Sequence, residues 1–234
     1  MHSILLVASW LLVATSALTP MTTVLFHKPA GCVTTHSDNR DLPAQHERKT
    51  VYDHLPDGLK RMGTKWHAVG RLDLKTSGLL LMTTDGNLVK HVCDPETKLK
   101  KTYRALCMGH LEEERLEQLR QGVDLAGGLG FSAPCDVELE GYEGRSKTCL
   151  SIKISQGKNR QVRRMLHSVK SGVIELQRVS IGGLTLDGIE EPGDWRWVGD
   201  EEMLKFLDYK PPRLPLRRAQ QHRRYFPGRR RRRS

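Results

Sequence analysis

Asp73 is placed for chemistry rather than for packing. It stands in GRLDLKTSGLLLMTTDG, residues 70–86. The apolar run Leu79-Leu80-Leu81-Met82 in that stretch reads as a buried strand, and Thr84-Asp85-Gly86 reads as the turn that ends it. An acid just ahead of a core element needs a partner or a task. A partner is on offer far downstream, in SQGKNRQVRRMLHSV, residues 155–169. There Val162, Met165, Leu166 and Val169 follow helical spacing and form one apolar face. Arg160, Arg163, Arg164 and His167 form the opposite face, Lys158 adds to the cluster, and Asn159 is the expected cap after the break at Gly157. Cations in the first turn oppose the helix dipole by about 0.3–1 kcal/mol each. Two readings follow: a solvated charged face, or a site for phosphate or carboxylate at the helix start. A loop acid that met one of these arginines would stay ionised at neutral pH. An ionised, positioned carboxylate can serve as a nucleophile.

The elements that must hold these residues are legible from pattern. Short strands are predicted over residues 24–26, 67–69, 101–108, 135–139, 148–154 and 173–179, besides the apolar run already named. Tyr103, Ala105 and Cys107 share one face of their strand, and Leu150, Ile152 and Ile154 alternate cleanly. Helices are predicted from Asn87 to Cys93, from Leu111 to a stop at Gly122, and over residues 202–207. One helical turn is expected over residues 51–55, closed by Pro56-Asp57-Gly58. Strands outnumber helices and do not alternate strictly with them. That favours an α+β fold with a mixed sheet over a doubly wound one.

Bulk composition suits a globular body with two unusual ends. The 234 residues include 38 basic and 27 acidic ones. Eleven of the basic residues and none of the acids lie at or beyond Lys210, so residues 1–209 carry 27 of each and are neutral overall. Residues 210–234 form a tail of Pro, Arg and Gln that cannot bury enough apolar surface to fold. It reads as a disordered arm for polyanions, or as a localisation signal or solubilising end. Residues 1–21 begin with an almost wholly apolar run over 4–14 and small residues at 14–17, but lack a basic start. They admit three readings: a signal peptide, the start of an organelle address, or an extension ahead of a true start at Met21. An organelle, plastid or mitochondrion, is the favoured compartment, and the cytoplasm if translation starts at Met21. The run is too short to span a bilayer comfortably, so no stable membrane insertion is expected. The five cysteines are scattered without a C-x-x-C pair, and His91-x-Cys93 is too thin for a metal site, so no metal is expected.

Taken together, the motifs resemble the RsuA family of RNA pseudouridine synthases. GRLDLKTSGLLLMTTDG resembles its catalytic motif, KTYRALCMG (residues 101–109) its K-x-Y-x-V segment, and GKNRQVRRM (residues 157–165) its G-R-N-R-Q-V-R-R-M segment. LFHKPAGCVTT resembles the opening N-K-P-x-G strand, while LQRVSIGGLTL and EPGDWRWV resemble the closing segments, all in the expected order. The resemblance implies a mixed, largely antiparallel sheet flanked by helices around a central cleft, within residues 22–209.

It also implies roles. Asp73 falls on the catalytic aspartate, Arg163 on the arginine that pairs with it, and Tyr103 on the tyrosine that packs against the target base and takes part in proton handling. Leu176 falls on the apolar residue that shields the pocket, and Arg71 and Leu72 shape the catalytic loop. Lys158, Asn159, Arg160, Gln161 and Arg164 are expected at the RNA. The implied activity is isomerisation of a uridine in RNA, ribosomal RNA foremost, by a monomer without a cofactor. A non-catalytic RNA-binding protein would share the basic helix and tail but has no need of the acid. Many family members carry a small RNA-binding domain ahead of the catalytic one. Only about twenty residues precede Thr22 here, so the chain is expected to be of the short type that acts on large-subunit ribosomal RNA, with the basic tail supplying some of the missing affinity. Lys158 replaces the usual arginine, which keeps charge but gives up bidentate phosphate contact.

Overall fold

The computed structural model describes residues 23–35, 48–61 and 65–212. The readings of residues 1–21 and of the tail beyond Pro212 lie outside them. The described residues belong to one compact unit spanning Met21–Pro212. No helix among them is long and apolar enough to cross a membrane.

One mixed sheet organises the unit. Its strands are β1 (Thr23–Lys28), β2 (His67–Val69), β3 (Ser77–Thr83), β4 (Lys101–Met108), β5 (Asp136–Glu143), β6 (Lys147–Ile154), β7 (Val173–Ile181), β8 (Leu184–Thr185) and β9 (Trp195–Trp197). The order across the sheet is β5-β6-β4-β7-β3-β1-β9, with β2 also on β3 and β8 on β7. Every pairing is antiparallel except β3 with β7. The α+β expectation holds. The helices are α1 (Asp57–Lys60), α2 (Gly86–Cys93), α3 (Glu113–Gln121), α4 (Gln161–Ser168) and α5 (Asp200–Leu207).

β3 is the hinge of the architecture. Its run from Gly78 to Thr83 is buried, as a strand covered on both faces must be. One edge carries β1 along its whole length. The other edge is shared: β2 pairs with residues 81–83, and β7 meets only Ser77 and Gly78. That short junction needs a glycine. A Cβ on Gly78, at φ +105°, would lie 2.2 Å from the Arg178 carbonyl oxygen. Two apolar cores flank the junction, one under β4, β6, α3 and α4, the other under β1, β3, α2 and α5. The connection between β2 and β3, residues 70–76, lies at this junction and contains Asp73.

Two local expectations are corrected, and one strand is added. Pro56-Asp57-Gly58 opens α1 instead of closing a turn, because Asp57 sits in the helix's first turn, where a carboxylate is favoured. Helix α4 begins at Gln161 after Arg160 in the left-handed region (φ 50°), and Asn159 does not cap it. Trp195–Trp197 forms a strand that its three-residue length hid; it pairs with β1 at the sheet's end.

Candidate active site

The connection that carries Asp73 is fastened from several sides. Leu72 is a buried anchor. Its N–H donates to Thr34 Oγ1 (3.2 Å), and the Thr34 hydroxyl donates to its carbonyl (2.9 Å). Gly31 N–H donates to the Leu74 carbonyl (2.7 Å), and Thr76 N–H to the Asp73 carbonyl (3.0 Å). The ammonium of Lys28, fully buried at the end of β1, donates to the carbonyls of Pro29 (2.9 Å), Asp73 (3.3 Å) and Thr76 (2.9 Å). Burial pushes the Lys28 pKa down from 10.5, against the pull of Cys32 and Asp73. The backbone of Asp73 is therefore held while its carboxylate stays 31 % exposed.

The carboxylate faces the start of α4. Arg163 Nε lies 3.9 Å from Asp73 Oδ2, and Arg160 Nη1 lies 3.8 Å from the same oxygen. These are charge contacts rather than hydrogen bonds. Arg163 is the buried member, with its side chain 11 % exposed against 52 % for Arg160. Its Nη2 donates to the Lys75 carbonyl (2.8 Å) and Thr76 Oγ1 (3.3 Å). Its Nε is buried without a hydrogen-bond partner among the described residues. Burial and the neighbouring Arg160 lower the Arg163 pKa, and Asp73 opposes them.

A cleft of about 740 Å³ opens over this pair, within the range of small-molecule sites. Arg71, Leu72, Asp73, Tyr103, Lys158, Asn159, Arg160, Gln161, Arg163 and Leu176 all line it. Tyr103 on β4 pairs with Arg178 of β7, and the neighbouring Ala105 pairs with buried Leu176. The sheet thus supplies an aromatic and an apolar side chain to the cleft that Asp73 lines. Arg71 is exposed.

The basic cluster divides by geometry. Arg164 does not line the cleft. Its Nε donates to the Asn159 carbonyl and its Nη1 to the Leu125 carbonyl, each at 3.1 Å, so it fastens a neighbouring loop. Lys158 lines the cleft, but its ammonium donates to the carbonyls of Leu129 and Phe131, both at 2.8 Å. No side chain caps α4; Gln161, its first residue, turns its side chain back, and its Oε1 accepts from Lys158 N–H (3.0 Å). Arg160 and Arg163 are left as the arginines of this cluster facing the carboxylate. Pattern reasoning missed Lys28, Lys101 and Arg178. The available signal was a cation within or just past a predicted strand: Lys28 in VLFHK, Lys101 in KTYRALCM and Arg178 in VIELQRVSI. Among the described residues, no group of His, Cys, Asp and Glu could hold a metal ion.

Comparison with known proteins places this geometry. A model of the RNA pseudouridylate synthase family matches residues 22–168. The chain is 36% identical over 192 residues to the ribosomal large subunit pseudouridine synthase B of Vibrio vulnificus (strain CMCP6), covering 82% of this chain and 55% of that one. It is 34% identical over 180 residues to the ribosomal small subunit pseudouridine synthase A of Vibrio cholerae, covering 77% and 71%. The chain thus spans about half the length of the large-subunit relative. A crystal structure of a pseudouridylate synthase superposes with a TM-score of 0.67 at 28% identity, over 79% of this chain and 73% of that one. An H/ACA ribonucleoprotein bound to a substrate RNA shares the fold alone, with a TM-score of 0.52 at 17% identity. With the matched segment carrying Asp73, Tyr103 and Arg163, the chain belongs to the RNA pseudouridylate synthase family.

Proposed function

We propose that the protein isomerises a uridine of ribosomal RNA to pseudouridine, with Asp73 as the catalytic carboxylate. The observation that carries this reading is a fastened backbone presenting one ionisable oxygen to two guanidinium groups at 3.8 and 3.9 Å, inside a cleft with an aromatic wall. The reaction breaks a carbon–nitrogen glycosidic bond, turns the freed ring and rejoins it through carbon. Nothing is oxidised or reduced, so the chemistry calls for no redox cofactor. A hydrolytic glycosidase would need a second carboxylate to manage water. This reaction needs one, to balance or attack the electron-poor sugar carbon. Arg163 faces that carboxylate with its charge, and Tyr103 covers the base once it has been flipped out of its stack. Arg71, Asn159 and Arg160 face the flanking backbone, Lys158 and Gln161 shape the rim, and Leu176 shields the ring from below.

The test is Asp73→Asn, which removes the charge at nearly constant volume. Pseudouridines are mapped in ribosomal RNA exposed to the native protein and to the variant. The expected result is at least one site formed by the native protein and none by the variant. Pseudouridine formed by Asp73→Asn at the native rate refutes the assignment.

A further inference from the structure

Two cations in the cleft, one buried and one half-buried, have no part in the roles assigned so far. Lys101 opens β4 and Arg178 lies in β7, and both line the cleft together with Asp73 and Tyr103. Arg178 is 3 % exposed. Its Nε donates to the Leu79 carbonyl (2.8 Å), while Nη2 is buried without a hydrogen-bond partner among the described residues. Lys101 is half-buried, and its ammonium donates to the Leu99 carbonyl at 3.2 Å. Burial and the adjacent guanidinium both push the Lys101 pKa down from 10.5, and only the Cys93 thiol opposes them. Cys93 in turn feels both cations. Two positive groups are thus taken from water side by side, and no carboxylate is among the charges acting on Lys101. Burying a cation without a counter-charge is costly. A site that keeps two of them has its partner arrive with the ligand.

Depth decides which part of the ligand that is. Arg71 and Arg160 are the exposed cations of the cleft and suit phosphates, which stay near solvent. Lys101 and Arg178 lie in the wall beside Tyr103, where the extruded base goes. We propose that Lys101 and Arg178 form a cationic pair that receives a carbonyl oxygen of the uracil ring and stabilises the negative charge the ring carries after the glycosidic bond breaks. The inference rests on the reading of the protein as a uridine isomerase. When C1′–N1 breaks, both bonding electrons leave with the ring and spread from N1 to O2 and O4. Asp73 balances the electron-poor C1′. When C5 bonds to C1′, the ring's electron pair is spent, the C5 proton is released and N1 gains one, so the sum is an isomerisation. Donors aimed at charge that exists only after bond cleavage accelerate the chemical step rather than tighten binding.

The experiment uses the full chain in excess over large- and small-subunit ribosomal transcripts carrying tritium at uridine C5. Tritium release gives the single-turnover rate, and filter binding gives the RNA Kd. Lys101→Met should slow release about 100-fold, the order seen on removing one oxyanion donor, with Kd within about twofold of native. Lys101→Arg should recover most of the rate. Transcripts with 2-thiouridine or 4-thiouridine add a readout that a merely structural role does not move. One of the two should slow the native protein and leave the Lys101→Met protein no slower than it is with oxygen. Should the Met protein fail to fold, Lys101→Gln and Arg178→Lys replace it. An unchanged rate, a loss confined to Kd, or thio effects of equal size in native and variant proteins overturn the pair while leaving the isomerase reading intact. No release by the native protein from either transcript overturns both.

Discussion

Replacing Lys28 by Met keeps the stem and removes the ammonium that ties β1 to the carbonyls of Asp73 and Thr76. The structure sets the size of the effect. Two of the three donated bonds are 2.9 Å and one is 3.3 Å, so two count fully. A hydrogen bond from a charged group contributes about 1.5–3 kcal/mol. The two together contribute about 3–6 kcal/mol, offset by the several kcal/mol that burying an ammonium costs. The net destabilisation expected is about 1–3 kcal/mol, which at about 2–4 °C per kcal/mol for a unit of this size lowers Tm by about 2–12 °C. Activity should fall further than stability. The ammonium positions the loop that carries Asp73, and a misplacement of about 1 Å costs about 100-fold in rate. Thermal unfolding and tritium release, both on the full chain well below its Tm, separate the two effects. Native turnover by Lys28→Met refutes the positioning role. The charge also has a pH signature. Because the folded pKa lies below 10.5, the unfolded chain holds this proton to higher pH. Through this group stability therefore rises with pH between the folded pKa and about 10.5. The Met variant should lack that rise, and an identical alkaline profile for both proteins would contradict the burial argument.

Arg163→Met should slow single turnover between about 5- and 1000-fold, the span set by a charge pair near 4 Å worth about 1 kcal/mol in water and about 4 kcal/mol at an effective dielectric of 20. Arg163→Lys should recover only part of this, since it restores charge without the second arm on the Lys75 carbonyl; full activity in the Met protein would break the proposed pairing. Truncation after Pro212 removes ten basic residues, and RNA binding should weaken with a flatter salt dependence, by about 0.7 in the log–log slope for each single-strand phosphate that is no longer neutralised. A slope unchanged across a salt titration would make residues 213–234 bystanders in binding.

What the sequence determined by itself is local. Leu79 to Met82 had to be buried, because a run without polar residues has no solvent face, and its shortness and the turn residues after it made it a strand. Val162, Met165, Leu166 and Val169 could only be the inner face of a helix, and all four are buried. The acid, the tyrosine and the arginines were legible as types at fixed spacings. The start of α4 was misread because the left-handed turn at Arg160 puts that residue, not Asn159, at the cap position, and no side-chain oxygen caps the helix. The tertiary structure decided which cations face the carboxylate. Lys158, Arg160, Arg163 and Arg164 are equivalent on paper. Packing gives the first to the carbonyls of Leu129 and Phe131 and the last to those of Leu125 and Asn159, and leaves the middle two facing Asp73. It also buries Lys28 under the loop of Asp73, and brings half-buried Lys101 and buried Arg178 from two other strands to the cleft that Asp73 lines. The physical reason is that an unbonded carbonyl is a partner for any cation within reach, and reach is set by pairings such as β3 with β7, which residues next to each other in the chain do not encode.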